Sequence, residues 1–159
     1  MSEQDSKAVV RRYYDEVLNQ RNIDLLDELA VEDYVEHDPF PGQGNGLADL
    51  KARVAGLCGA FNPLHFTIED VIAEGDKVVV RWTNAGTDRG GFMGIPATGK
   101  EFGIAGIDIH VVRGAKLAEH WHVVDQLAQM QQLGLIPSPR PPAPSWQHLC
   151  WRGGPHPAA

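Results

Sequence analysis

The sequence predicts an α+β domain, with helices packed on one face of a curved, mainly antiparallel sheet. Up to Phe61 the apolar residues recur at roughly the 3.6-residue period of a helix; beyond it they alternate at about the period of 2 that strands require. Turn residues then separate β-branched runs that follow one another directly, as hairpins do. A parallel doubly wound sheet would interleave strands with helices.

Val9, Val10, Tyr13, Tyr14, Val17 and Leu18 mark one face of a first helix over residues 6–19, with Arg11, Arg12, Asp15 and Glu16 between them. Asn22 is placed to cap a short second helix carrying Leu25, Leu26 and Leu29. Residues 33–39 then run extended, because Pro39 disfavours helix before it. After the glycine-rich stretch 41–46, Leu47, Leu50, Val54, Leu57, Cys58 and Phe61 define a third helix that Asn62-Pro63 ends. Residues 66–74 and 77–87 form a hairpin around Gly75-Asp76, and 101–113 and 116–124 a second around Gly114-Ala115. Asp125 is the natural N-cap of a closing helix over 126–133, which Gly134 stops.

A length of 159 residues, 43% of them hydrophobic, fits one domain, placed at residues 1–136. Seven of the eleven prolines fall in residues 137–159, with Trp146 and Trp151, which predicts an extended Pro-rich tail. The net charge of -7 argues against nucleic acid and anionic membranes as partners. The acidic, polar start lacks a secretory pattern, and no apolar run approaches about 18 residues, so a cytoplasmic location is expected. Cys58 and Cys150 lie far apart with no Cys-x-x-Cys pair, which suits ordinary thiols in a reducing compartment.

Gly94 to Lys100 has the spacing Gly-x-x-x-x-Gly-Lys, yet Glu101 follows where a phosphate loop needs Ser or Thr, and a strand follows instead of a helix. It reads as a loop entering a strand. Neither a nucleophile elbow nor a His-Glu-x-x-His zinc motif is present.

The chemistry is concentrated in the second hairpin. Alternation puts Asp108 and His110 on one face of the first strand and His120 and His122 on one face of the second. If Asp108 pairs with His122, His110 pairs with His120, and Ile107, Ile109, Val111, Leu117, Trp121 and Val123 gather on the other face with Glu119. A shift by one residue would mix imidazoles with those apolar side chains, so this register is the expected one. Imidazole serves as acid or base near neutral pH, and a facing carboxylate fixes its tautomer. On this reading His122 is the principal acid/base, Asp108 orients it, His110 and His120 polarise a carbonyl, and His37 approaches from the segment before the glycine-rich loop. The same spacing would also suit a zinc or iron shell built from Asp108, His110, His120 and His122. The apolar opposite face suggests a subunit interface, so a homo-oligomer is expected.

Asp33-Tyr34-Val35, Glu69-Asp70-Val71-Ile72 to Arg81, the stretch from Phe92 to Lys100, Glu119-His120-Trp121 and Gln131-Gln132-Leu133-Gly134 occur in an order that resembles the SnoaL-like polyketide cyclase family. The resemblance spans residues 6–134. It implies a nuclear-transport-factor-2-like cone, a strongly curved mixed sheet wrapped by helices around a deep apolar pocket, usually in oligomers. It also implies ring closure of a small apolar or aromatic polyketide-like substrate by aldol chemistry without metal or organic cofactor, with Phe92 and Met93 joining His37 at the substrate. In the family an aspartate two residues after the strand histidine acts as acid/base and a neighbouring-strand histidine assists. Here the strand histidine is His120, the aspartate position holds His122, and the assisting position holds Asp108, so the two residue types are exchanged. The expected function is therefore a cofactor-free cyclase or isomerase of polyketide or related secondary metabolism. A non-catalytic binder of an apolar molecule and an epoxide or ester hydrolase with histidine-activated water are the alternatives.

Overall fold

The computed structural model describes residues 2–138. The expected tail, apart from Pro137 and Ser138, lies outside the described residues. Helix α1 (Glu3–Arg12) begins earlier than its apolar stripe suggests, because Ser2 and Asp5 form a reciprocal capping box. It continues as a wider π-helical stretch, Tyr13–Asn19, in which Tyr13, Tyr14, Val17 and Leu18 are all buried. Such wide turns concentrate at functional sites. A 3₁₀ turn (Ile23–Leu25) and α2 (Leu26–Leu29) follow; Asn22 occupies the cap position, but its side chain makes no capping hydrogen bond.

Strand β1 (Ala30–Glu36) replaces the expected extended segment, since its backbone pairs in parallel with the last strand. Helix α3 (Leu47–Ala60) ends at Ala60, two residues before Asn62, and β2 (Phe61–Glu74) starts at once. Strands β3 (Lys77–Asp88), β4 (Glu101–Arg113) and β5 (Lys116–Val124) complete a five-stranded mixed sheet of order β1-β5-β4-β3-β2. Helix α4 (Gln126–Leu133) closes the fold, capped by Asp125 through Ala128 N–H and stopped at Gly134, whose φ of 76° is left-handed.

The β4–β5 register pairs Asp108 with His122 and His110 with His120, as the alternation requires. Hydrophobic patterning decided it. One expectation is corrected. A bulge between Val111 and Val112 shifts the pairing so that Leu117 faces Val112 and turns into the core, 1% exposed, instead of joining the outer apolar face. Ile107 and Val123 do stand on that outer face, 48% and 75% exposed. The inner face of the sheet packs against the N-terminal helical segment and α3 around a core that includes Tyr14, Val54, Phe61 and Leu133. No helix among the described residues is long and apolar enough to cross a membrane.

Candidate active site

Between the sheet and the helices lies a partly open cavity. Phe40, Leu57, Phe61, Phe66, Trp82 and Phe92 give it an aromatic, apolar wall, and Asp108, His120 and His122 reach it from β4 and β5.

His120 is the centre of the polar cluster. Its Nδ1 lies 2.7 Å from Glu36 Oε2, and its Nε2 lies 3.4 Å from Asp108 Oδ2. The second contact is an ion pair, since Nε2 has no aligned hydrogen-bond partner among the described residues. Glu36 reaches His120 because the parallel β1–β5 pairing sets the two residues side by side. Arg53, from α3, places Nη1 3.0 Å from Glu36 Oε2 and 3.4 Å from His122 Nδ1. Tyr14, from the π-helical stretch, donates its hydroxyl to Asp108 Oδ2, and His110 lies behind, stacked on His120 with ring centroids 4.6 Å apart.

These groups are almost wholly buried, so each charge state follows from its neighbours. Burial pushes the Glu36 and Asp108 carboxyls up, but His120 outweighs burial at both, with help from His122 and Arg53 at Glu36 and from His110 and Tyr14 at Asp108; both sit well below the usual carboxylate range. Burial pulls His120 down, and the two adjoining carboxylates more than reverse it. His110, buried and next to the His120 charge, is driven down to about 3 and is neutral. Burial, reinforced by the Asp108 charge, raises Tyr14 well above the ordinary phenol range. Two anions, Glu36 and Asp108, thus balance two cations, Arg53 and His120. Unbalanced, such charges would be expelled from a low-dielectric interior.

The expected pairing of Asp108 with His122 holds for the backbone and not for the side chains. Asp108 turns to Tyr14 and to its diagonal neighbour His120, and the carboxylate beside His122 is Glu36, with Oε1 3.5 Å from Nδ1. Diagonal cross-strand neighbours lie within reach of long side chains, and helix contacts choose between them. His110 is in the cluster but does not line the cavity. His37 lies on the outer face, stacked on Trp121 at 4.0 Å and bonded to Glu119 at 2.8 Å, because it directly follows inward-facing Glu36 and strand alternation turns it to the opposite side. Phe92 lines the cavity; Met93 is 46% exposed and belongs to an outer groove beside it. Glu36, Arg53 and Tyr14 were not legible as site residues. Their one sequence signal is polarity at positions whose helical or strand phase faces inward.

Two sets of potential ligand atoms lie within 4.8 Å of one another, Glu36 with His120 and His122, and Asp108 with His110 and His120. In the first, the Arg53 guanidinium already supplies the positive charge that a metal would bring.

The SnoaL-like polyketide cyclase family model matches residues 8–133. Among solved structures, TsrD from Streptomyces laurentii superposes with a TM-score of 0.78 at 26% identity, covering 86% of this chain and 99% of its own. IdmH from Streptomyces antibioticus, for which a polyketide cyclase role is proposed, has a TM-score of 0.72 at 25% identity, covering 81% and 98%. AclR from Streptomyces galilaeus, for which a hydroxylase role is proposed, shares the fold with a TM-score of 0.77 at 24% identity, covering 87% of both chains. No curated protein matches the chain. A family match over most of the sequence, on a curved α+β fold whose cavity carries the histidine cluster, places this chain in the SnoaL-like polyketide cyclase family.

Proposed function

We propose that this protein is a cyclase or isomerase acting by histidine acid/base chemistry, without an organic cofactor, on a small aromatic polyketide-like substrate. The observation that supports it is the charge-balanced chain Glu36–His120–Asp108 at the wall of an aromatic cavity, with His122 beside it. His122 remains the principal acid/base, and Glu36 takes the orienting role expected of Asp108. In the tautomer that puts its hydrogen on Nδ1 towards Glu36 Oε1, in place of the 3.4 Å contact in which Arg53 Nη1 donates to that nitrogen, the ring leaves Nε2 free to take a proton from a carbon flanked by carbonyls. His120, protonated and held between two carboxylates, donates a hydrogen bond to the carbonyl oxygen where negative charge develops. The resulting carbanion attacks a second carbonyl to close the ring, and His122 returns its proton to the new alkoxide. Tyr14 fixes Asp108, and neutral His110 backs the His120 ring.

The reading is tested by deuterium exchange of the activated methylene in aromatic 1,3-dicarbonyl esters, and by product mass in labelled water. Catalysed exchange, with an isomeric product that carries no solvent oxygen, is the expected result. Incorporated solvent oxygen would replace cyclisation with hydrolysis, and saturable binding without exchange would make the protein a binder.

A further inference from the structure

Trp82 and Asn84 stand two residues apart in β3, so strand alternation puts both on the cavity side, where both line the wall. Trp82 is 3% exposed and Asn84 7%, and among the described residues neither the indole Nε1 nor the amide Oδ1 has a hydrogen-bond partner. An unpaired buried polar atom opposes folding, so two on one wall of one cavity ask for a common reason. Loose packing is not that reason. The indole lies across Gly106, its cross-strand neighbour, so closely that a Cβ there would fall 2.2 Å from Trp82 Cζ2. Phe66 meets the same indole edge-on, with ring centroids 5.2 Å apart. The donor is thus clamped in place before any ligand arrives.

The site has a position relative to the chemistry. Along β3, Val80 pairs with Asp108, Trp82 with Gly106 and Asn84 with Ile104. At about 3.3 Å per residue, Trp82 and Asn84 lie roughly 7 and 13 Å along the strand from the level of Asp108.

We infer that Trp82 Nε1 and Asn84 Oδ1 form a second polar subsite of the cavity, which takes a hydroxyl group carried by the ligand's ring system away from the reacting carbon. A hydroxyl accepts from an N–H and donates to a carbonyl oxygen, so one group satisfies both atoms. With the amide oriented as it is here, a ring carbonyl would leave Asn84 Oδ1 unpaired, and an amine cation would leave Trp82 Nε1 unpaired. The inference rests on the proposed reading of the cavity as the substrate site, and it narrows the substrate to hydroxylated aromatics. Sites that hydrogen-bond a substrate hydroxyl reject analogues lacking it far better than apolar pockets reject a missing methylene.

The test is equilibrium dialysis of the full chain against 1-naphthol, 1-methoxynaphthalene and naphthalene. Naphthol is expected to bind about 10-fold or more tightly than naphthalene, with the ether, which accepts but does not donate, between them. Trp82→Phe and Asn84→Leu should each reduce the preference to within about threefold while naphthalene affinity holds. Melting temperatures report directly whether the variants fold: Asn84→Leu, which removes an unpaired buried atom, should be unchanged or raised, and Trp82→Phe, which also empties the space over Gly106, should be lowered with a cooperative transition retained. Equal affinities in the parent chain would overturn the subsite and leave the cavity reading standing; no binding of any of the three would overturn both. A preference that survives in both wall variants would move the hydroxyl to the histidine cluster and overturn the assignment.

Discussion

His120 Nδ1 meets Glu36 Oε2 at 2.7 Å, although 84 residues separate the two in the chain. Parallel pairing of β1 with β5 makes them neighbours, and Arg53 joins from α3. The Glu36–His120–Arg53 contact is therefore held by three elements at once, and its charge balance is part of the fold.

Glu36→Gln removes one of two buried anions and leaves Arg53 and His120 without their shared partner. A loss of about 3–5 kcal/mol is expected in urea unfolding, as for breaking other buried ion pairs. Arg113→Ala, which breaks an exposed pair with Asp33, should change stability by about 1 kcal/mol or less.

Stability should peak near pH 6.5, the ordinary histidine value. His120 is raised in the folded state, so its contribution is complete below that value and is lost as pH rises through the folded pKa. His110 is lowered to about 3, so between about pH 6.5 and 3 the unfolded chain takes a proton that the folded chain refuses, and stability falls with pH. Glu36 and Asp108 are lowered, so their contribution is present above their ordinary values of 4.5 and 3.8 and is lost as pH falls below them. Each proton contributes a slope of up to about 1.4 kcal/mol per pH unit. His110→Phe should flatten the limb between pH 6.5 and 3 in a urea-unfolding pH series, and an unchanged limb would refute the assignment.

His122→Ala should lower methylene exchange and turnover by about 10² or more with the fold intact. His37→Ala, on the outer face, should stay within about threefold of the parent, since it touches neither the cavity nor the cluster. Initial rates on both variants, with circular dichroism as the folding control, check the contrast.

Gly106→Ala places a methyl group where the Trp82 indole lies. Overpacking of this kind costs about 1–3 kcal/mol. A shifted tryptophan emission maximum together with a lower urea midpoint is expected.

The sheet half of this protein was legible because strands have a strict period. Alternation in residues 101–124 left one register that kept Asp108, His110, His120 and His122 off the apolar face, and the pairing follows it. Capping and turn chemistry likewise placed α4, with Asp125 at its start and Gly134 at its end. The bulge that turns Leu117 inward was not legible, since one extra residue in a ladder leaves little trace in composition.

The sequence by itself determined the fold class, the β4–β5 register and the face on which the histidines gather, because these follow from local periodicity. Only the tertiary structure decided which carboxylate meets which imidazole. Tyr14 and Asp108 are 94 residues apart, and Glu36 and Arg53 come from different elements, so no spacing in the chain encodes their meeting. Packing of the helices on the sheet brings them together, and burial then makes their charges depend on one another.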